Sequence, residues 1–454
     1  MVATTGSSIS GAIDAVWRIE SPKLIAGLTR IVRDVGLAED LAQDALVAAL
    51  EQWPESGIPR NPGAWLMGTA KHRAIDFFRR RKTLDQKQEL LGRELAVQQD
   101  LAEPDLDAEI DARSAGEIED DLLRLVFISC HPVISTEAQV ALTLRLLGGL
   151  TTEEIARAFV TPVPTIQQRI VRAKKTLSDA GVPFEVPTGD DRAARLASVL
   201  NVIYLIFNEG YTATAGDDWM RPQLCQDALR LGRVLAGLMP HEPEVHGLVA
   251  LMEIQASRTA ARVGPNGEPI LLLDQNRARW DHLLIRRGLA ALDRAQRLTG
   301  ARGDATSSVS DVDASRLGPY ALQAAIAACH ARARTASETD WPRIASLYDA
   351  LAERTPSPIV ELNRAVAHSM AFGPAAGLAL VDQLVDLPAL KTYHLLPSVR
   401  GDFLAKLGRF SEAHAELTRA ASLTQNTRER TLLLERAAAC ARGYGYSRPA
   451  PQRL

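Results

Sequence analysis

The sequence has little cysteine and few aromatic residues, and it contains no long apolar run. Its four cysteines, Cys130, Cys225, Cys329 and Cys440, lie far apart, so no CxxC or Cys/His spacing indicates a zinc site, and buried free thiols are expected. No stretch of about 18 apolar residues is present that could cross a membrane. The N-terminal letters MVATTGSSIS lack the cationic start and apolar core of a signal peptide. We therefore expect a cytoplasmic protein without a membrane partner, metal or cofactor.

Charge of neither sign dominates the chain, but it is unevenly distributed. The net charge is −3, and 46% hydrophobic and 24% charged residues are typical of a globular protein. Residues 71–82 contain six Lys or Arg and one acid, whereas residues 85–121 contain thirteen Asp or Glu and three cations. A second basic cluster follows at residues 169–175. This order predicts two nucleic-acid contacts joined by an acidic tether.

The first part of the chain has helical periodicity. Apolar spacing predicts a helix over 12–33 and a second from about Leu37 to Trp53. The predicted core face of the second helix consists of Leu41, Ala45, Leu46, Ala49, Leu50 and Trp53. Asp40, Asp44 and Glu51 fall together on the other side, since eleven residues are close to three helical turns. From the pattern alone, this acidic stripe is either a solvated face or an interface.

A third helix follows the segment PESGIPRNP, which predicts a stiff turn. Pro62 suits its first turn, and Leu66, Ala70 and Ile75 are expected to be buried. Aromatic and basic residues share the other faces: Lys71, His72, Arg73, Phe77, Phe78 and Arg79. This mixture suits single-stranded DNA, because cations follow phosphates and rings stack on bases for roughly 1 to 3 kcal/mol each. The alternative is that the two phenylalanines belong to the core.

Residues 151–177 have the pattern of a helix-turn-helix. Thr151 and Glu154 predict a capping box, and Thr161 is expected to cap the next helix with Pro162 in its first turn. The predicted buried stripe of that helix is Ile166, Ile170, Ala173 and Leu177. A recognition helix reads bases near its N-terminal end in the major groove. A plain amphipathic helix hairpin is the alternative.

These segments occur together in an order that resembles a known family. The stretches VGLAEDLAQDALVAALEQW, NPGAWLMGTAKHRAIDFFRRR and TTEEIARAFVTPVPTIQQRIVRAKKTL make residues 10 to about 181 similar to the two domains of an extracytoplasmic-function sigma factor. The resemblance implies an all-α fold, with region 2 at 10–83, an acidic flexible linker at 84–118 and region 4 at 119–181. It also implies binding to core RNA polymerase and promoter DNA, while RNA synthesis remains with the polymerase.

The resemblance assigns roles to individual residues. It implies that Asp40, Asp44 and Glu51 bind the clamp of the beta-prime subunit. It places the following residues at the −10 element and the melting strands: Asn61, Trp65, Lys71, Arg73, Asp76, Phe77, Arg79, Arg80 and Arg81. It places the following residues at the −35 duplex: Thr165, Gln167, Gln168, Arg169, Arg172 and Lys175. An apolar surface at 140–147 would receive the flap of the beta subunit. Val163 and Pro164 depart from the family's usual start of the recognition helix.

The remaining chain, residues 187–454, predicts a helical regulatory domain. Residues 394–426 resemble a tetratricopeptide (TPR) unit, with small or apolar residues at Gly401, Leu404, Leu407, Gly408, Ala413 and Ala420. The stretch ELNRAVAHSMAFGPAAGLALVDQL, residues 361–384, repeats this pattern about 37 residues earlier, and the repeats are clearest over 358–426. Such repeats bind a protein or peptide ligand, although scaffolding alone would also explain them.

The stretch YLIFNEGYTATAG resembles a signature of sigma factors with a long C-terminal extension. Its residues are Tyr204, Phe207, Asn208, Glu209, Gly210 and Tyr211. Helical spacing favours core packing of the aromatic residues over a ligand site, and the fused extension is expected to regulate activity in cis. A single-chain DNA-binding regulator with a TPR-type sensor is the alternative. An enzyme built on Glu209, His241 and His246 is disfavoured, because these residues lack metal or nucleophile spacing.

Overall fold

The structure, a computed structural model, describes residues 3–92, 118–212, 220–264, 270–301, 314–424 and 427–443. Within these ranges the chain forms helices and turns without a β-strand, which confirms the all-α prediction. It divides into two compact units, Met1–Leu205 and Ile206–Leu454. Most of the predicted acidic linker (93–117) and the end of the signature stretch (213–216) lie outside the described residues.

The first unit begins with three helices, the N-terminal group: α1 (Ala3–Val32), α2 (Val35–Ser56) and α3 (Pro62–Gly92). Asp34 caps α2 by accepting a hydrogen bond from the Leu37 amide at 2.8 Å. The helix passes Pro54, because losing one helical hydrogen bond near its end is tolerated, and the Gly57 amide closes the last turn on the Trp53 carbonyl at 3.0 Å. The turn predicted over residues 54–62 is therefore confined to residues 57–61. At the other end, α3 extends past the expected domain boundary at 83.

The core of the N-terminal group follows the predicted apolar stripes except at Leu46, Leu50 and Ile75, of which the first is only partly buried. Trp53 and Leu66 are buried as predicted, as are most positions of the α2 stripe. Leu50 is 42% exposed, so its assignment to the core was wrong. On α3, Ala74 is fully buried and Ile75 only partly, because the buried face passes through the smaller neighbouring residue.

Four further helices, the second group, are α4 (Ile118–Ser129), α5 (Thr136–Leu146), α6 (Thr152–Ala158) and α7 (Val163–Asp179). The capping box of α6 is present as predicted, and so is the buried stripe of α7. Thr161 does not cap α7, because its hydroxyl donates to the Phe159 carbonyl at 3.1 Å. The expected apolar surface at 140–147 is also wrong for this conformation, because nearly all of these residues are buried in the first unit.

The helix α8 (Gly189–Tyr211) crosses the boundary between the units. Near its start, Arg195 donates to the Phe127 carbonyl at 3.0 Å and Ser198 to the Cys130 carbonyl at 3.0 Å. These contacts attach the first part of α8 to the second group. The compact first unit thus extends beyond the domain boundary expected near 187.

The second unit is a succession of helices. They are α9 (Pro222–Leu238), α10 (Pro243–Ala256), α11 (His282–Ala301), α12 (Pro319–Arg332), α13 (Trp341–Arg354), α14 (Pro358–Phe372), α15 (Pro374–Asp382), α16 (Leu395–Lys406), α17 (Phe410–Leu423) and α18 (Thr427–Ala441). From α12 onward each helix packs on the next. Gly401 permits close packing of α16 on α17, since a Cβ there would lie 2.9 Å from Leu417. This stacking agrees with the expected helical pairs, and their likeness to TPR units remains a prediction. All four cysteines are buried free thiols, as predicted.

Candidate nucleic-acid and polymerase interface

The acidic stripe of α2 lies on the surface of the N-terminal group. Asp40, Asp44 and Glu51 are all exposed and point away from the buried face of the helix. Asp44 lies 3.3 Å from the guanidinium of Arg73 on α3, so the two predicted sets of residues meet at this point. Partial burial raises the pKa of the Asp40 carboxyl, against the opposing effect of Lys174. The stripe can present negative charge to a partner surface.

On α3, the predicted −10 residues divide into structural and exposed members. Asn61 accepts a hydrogen bond from the Ala64 amide at 3.0 Å and so begins the helix. Trp65 packs edge-to-face on the buried Trp53, with ring centroids 5.3 Å apart. These two residues hold the start of α3, whatever else they contact. Lys71 is half-buried and Asp76 exposed.

Farther along α3, cations and an aromatic ring are exposed together. Phe77 is 37% exposed and touches Phe78 edge-on at a centroid distance of 5.6 Å, which favours the surface interpretation over the core alternative. The side chains of Arg79, Arg80 and Arg81 are all exposed. Because Arg73, Phe77 and Arg80 are spaced by four and three residues, they share one helix face. This face can contact phosphates and unpaired bases together.

On α7, most of the predicted −35 residues are exposed. Ile166, Ile170, Ala173 and Leu177 anchor the helix, and the opposite faces carry Thr165, Gln167, Gln168, Arg172 and Lys175. Arg169 is half-buried. Residues with amide and guanidinium groups can read base edges, and cations can bind phosphates. The helices α6 and α7 pack on each other and are joined by the four residues 159–162, which is the arrangement of a helix-turn-helix.

Sequence reasoning missed Glu39, which connects the two helix groups of the first unit. Its side chain is only 3% exposed, yet it receives a hydrogen bond from Arg145 Nε of α5 at 2.6 Å and forms an ion pair with Lys174 of α7. Burial raises the pKa of the Glu39 carboxyl, but the two cations outweigh it and leave the pKa below its usual value. Its position four residues after Val35 and three before Ala42 places it on the buried stripe, which was the available signal.

Other polar contacts join the same two groups. Arg18 of α1 donates to Glu154 of α6 at 2.6 Å, and Arg30 lies 3.0 Å from Asp121 of α4. Ser178 at the end of α7 donates to Asp34 at 2.9 Å. Glu154 therefore serves both the capping box and the contact between groups. In this conformation α7 is held against the N-terminal group rather than standing free.

The signature residues of α8 from Phe207 onward make packing contacts within the second unit, whereas Tyr204 belongs to the first. Phe207 is buried and stacks on Tyr211 at a centroid distance of 5.6 Å, while Glu209 forms an ion pair with Arg221. A Cβ at Gly210 would lie 2.6 Å from the Cys225 amide nitrogen, so the close approach of α9 requires glycine. Asn208 accepts a backbone hydrogen bond from Thr212 at 2.8 Å, and Tyr204 is half-buried. These contacts favour core packing for Phe207 and Gly210.

No group of metal-binding side chains occurs among the described residues. Over the same ranges, no helix has the length and apolarity needed to span a membrane.

Comparison with known families agrees with this geometry. Residues 17–83 match the sigma-70 region 2 family and residues 124–177 the sigma-70 region 4 family. Together they define a protein class that carries both DNA-binding regions of a sigma factor. Between residues 195 and 296 the chain also matches a family of unknown function, DUF6596.

Two relatives extend this comparison. The chain is 42% identical to the uncharacterized protein R00370 of Rhizobium meliloti (strain 1021) over 423 residues, which are 92% of this chain and 94% of the relative. It belongs to the same family as that protein. It is also 29% identical over 154 residues to the ECF RNA polymerase sigma factor SigK of Mycobacterium ulcerans, covering 33% of this chain and 75% of that relative. No solved structure matches the chain. The two regions and SigK support a sigma factor in transcription initiation.

Proposed function

We propose that the protein is an alternative sigma factor that binds core RNA polymerase, recognises −10 and −35 promoter elements and promotes DNA melting. The observation that carries this proposal is the presence of both sigma-70 regions in one chain, one with the exposed aromatic and basic face of α3 and the other with the exposed face of α7. A duplex-binding regulator would need only the second of these surfaces.

The roles of individual residues follow from their exposure. In this proposal Asp40, Asp44 and Glu51 bind the beta-prime clamp, and the exposed members of the α3 set hold the separated strands. The cost of unstacking bases is offset by new stacking and phosphate contacts. The exposed α7 residues read the −35 duplex. The second unit regulates these steps from within the chain, and its helical stack offers a surface for a protein or peptide ligand.

The test of the proposal is run-off transcription with purified core polymerase on the promoter region of the gene itself. We expect a defined transcript with the full chain. The Asp44→Arg variant should not pull down core polymerase, because a positive charge then faces the beta-prime clamp. Glu55→Arg is the matched control, since Glu55 is an exposed acid in the last turn of the same helix.

The exposed Asp44 and Arg73 pair contributes at most about 1 kcal/mol to folding, so D44R should remain folded. If D44R binds polymerase as well as the parent does, the stripe is a solvated face. If the full chain instead binds promoter duplex alone with high specificity and never directs polymerase, the protein is a single-chain regulator.

A further inference from the structure

Three arginines of the second unit gather around two aromatic rings. We call Arg258, Arg262 and Arg277 the arginine cluster. The guanidinium carbon of Arg262 lies 3.5 Å from the centroid of the Tyr211 ring, and that of Arg277 lies 5.0 Å from the Trp280 ring. Arg258 lies between the two rings, 5.8 Å from the first and 5.9 Å from the second. The rings thus join three positive charges into one site.

Arg258 and Arg262 of the arginine cluster are buried, whereas Arg277 is half-buried and feels the charge of Glu338. Arg258 is 9% exposed and Arg262 is 8% exposed. Among the described residues, no carboxylate lies within ion-pair distance of the three guanidinium groups. By contrast, Arg233 in the same unit binds the buried Glu253 at 2.8 Å. Burying a charge without an opposite charge is costly, so an anion bound at the cluster would offset this cost.

The hydrogen bonds of the arginine cluster go to neutral acceptors. Arg262 donates to the Tyr211 carbonyl and to the Thr212 hydroxyl, the latter at 3.0 Å. Arg277 donates to the Ala333 carbonyl at 2.7 Å and also to the His330 carbonyl. Burial lowers the pKa of the Arg262 and Arg277 guanidinium groups, and the charge of Arg258 lowers both further. These contacts orient the arginines without neutralising them.

Four buried polar atoms have no hydrogen-bond partner among the described residues: Arg258 Nε, Trp280 Nε1, His330 Nδ1 and Gln275 Oε1. The His330 carbonyl accepts from Arg277, and Gln275 precedes Arg277 by two residues in the chain. Each of these side chains is more than nine-tenths buried. The arginine and tryptophan nitrogens are donors, and the histidine nitrogen is one in the matching tautomer. The glutamine oxygen can accept only from a hydroxyl or amine. Unused donors beside excess positive charge are the chemistry of an oxyanion site.

We infer that the arginine cluster binds a small oxyanion ligand, a carboxylate or phosphate that also carries a hydroxyl group. The guanidinium group of Arg258 and the indole N–H of Trp280 donate to the anionic oxygens, while the hydroxyl donates to Gln275. Arg262 and Arg277 supply charge from either side. The site goes beyond the proposed function and does not depend on it, since neither sigma-70 region includes these residues.

The test is calorimetric titration of the full chain with inorganic phosphate, glycerol phosphate, lactate and, at matched ionic strength, chloride. We expect saturable binding of a hydroxyl-bearing oxyanion, and the phosphate and carboxylate probes decide which acid group the site takes. Arg258→Gln should weaken that binding at least tenfold, because it removes the central charge and its unused donor. Arg297→Gln, an exposed arginine on α11, is the matched control and should bind like the parent.

A second measurement does not depend on a variant at the site. The chain has six tryptophans, and binding should shift the indole N–H resonance of Trp280 while leaving those of Trp53 and Trp65 in the first unit in place. Absence of saturable binding by all oxyanions into the millimolar range, with no shift of that resonance, would overturn the inference.

The sequence itself contains two carboxylates close to Thr212, namely Asp217 and Asp218. The Asp217→Asn, Asp218→Asn double variant tests whether the chain supplies its own anion. If the parent does not bind and oxyanions bind only to this double variant, the cluster is a structural ion-pair site and the inference fails. Equal binding by both proteins supports a true ligand site.

Discussion

Arg80 is the exposed cation at the end of the α3 face that also carries Arg73 and Phe77. Each cation that neutralises a DNA phosphate releases about one counterion, which makes binding depend on salt. We therefore expect Arg80→Ala to weaken promoter opening and to reduce the slope of log affinity against log salt by about one. Permanganate footprinting of open complexes across a salt series measures both effects.

Lys391→Ala is the control for this prediction, because Lys391 is an exposed cation of the second unit. Its salt slope should equal that of the parent. An unchanged salt slope for R80A would mean that Arg80 does not contact a DNA phosphate.

At the same scale, protonation of His330 makes the stability of the second unit depend on pH. Burial, together with the charges of Arg258 and Arg277, lowers the pKa of His330 to about 4. The folded state thus favours the neutral ring, so its contribution is complete above about pH 6.5 and is lost as the pH falls toward 4. We expect the unfolding free energy to fall by on the order of 3 kcal/mol more in the parent than in His330→Gln over this window.

Urea unfolding of the full chain at several pH values measures this difference. His282→Gln, at an exposed position on α11, should leave the pH dependence as it is in the parent. Parallel pH profiles for the parent and H330Q would show that the ring titrates normally.

At the scale of elements, α2 makes two different uses of its acidic residues. Glu39 faces inward and binds cations of α5 and α7, whereas Asp44 and Glu51 face outward. Removing one member of a buried charge cluster leaves the others uncompensated. We therefore expect Glu39→Gln to lower the unfolding free energy of the first unit by about 3 kcal/mol, measured by urea unfolding.

Glu51→Gln provides the comparison, since an exposed acid on the same helix should change stability by no more than about 0.5 kcal/mol. Equal stability of the two variants would mean that the contacts of Glu39 with Arg145 and Lys174 do not stabilise the folded first unit. The same contact also places Lys174 of α7 on α2.

At the scale of the whole molecule, the proposed function has the second unit regulate the first, either by activation or by inhibition. A truncated chain must retain Arg195 and Ser198 of α8, because these side chains donate to the carbonyls of Phe127 and Cys130. A chain that ended near residue 189 would lose both hydrogen bonds. A chain of residues 1–212 keeps α8 intact. We expect residues 1–212 and the full chain to differ in run-off transcription with core polymerase at equal concentration.

More transcript from residues 1–212 would identify the second unit as an inhibitor, and transcript from the full chain alone would identify it as an activating part. Equal transcript from both proteins would contradict regulation in cis. Circular dichroism of the truncated chain serves as the folding control for all three outcomes.

The sequence by itself determined the helices, because apolar periodicity and caps act within a few turns. The buried stripe of α7, the Thr151 cap and the outward side of Asp40, Asp44 and Glu51 all follow from spacing along one helix. The sigma-like order of motifs is of the same kind. The prediction for Leu50 was wrong because spacing alone does not show how far the packed face extends, and Thr161 was wrong because its hydroxyl donates to a competing carbonyl.

Only the tertiary structure decided which distant charges meet. Glu39 finds Arg145 and Lys174 across long stretches of chain, and the arginine cluster forms because α8, the end of α10 and the turn before α11 converge on Tyr211 and Trp280. The apolar stripe of α2 indicates that Glu39 is buried, but no local pattern marks which distant cations it meets. Their positions follow from helix packing, which depends on the whole core.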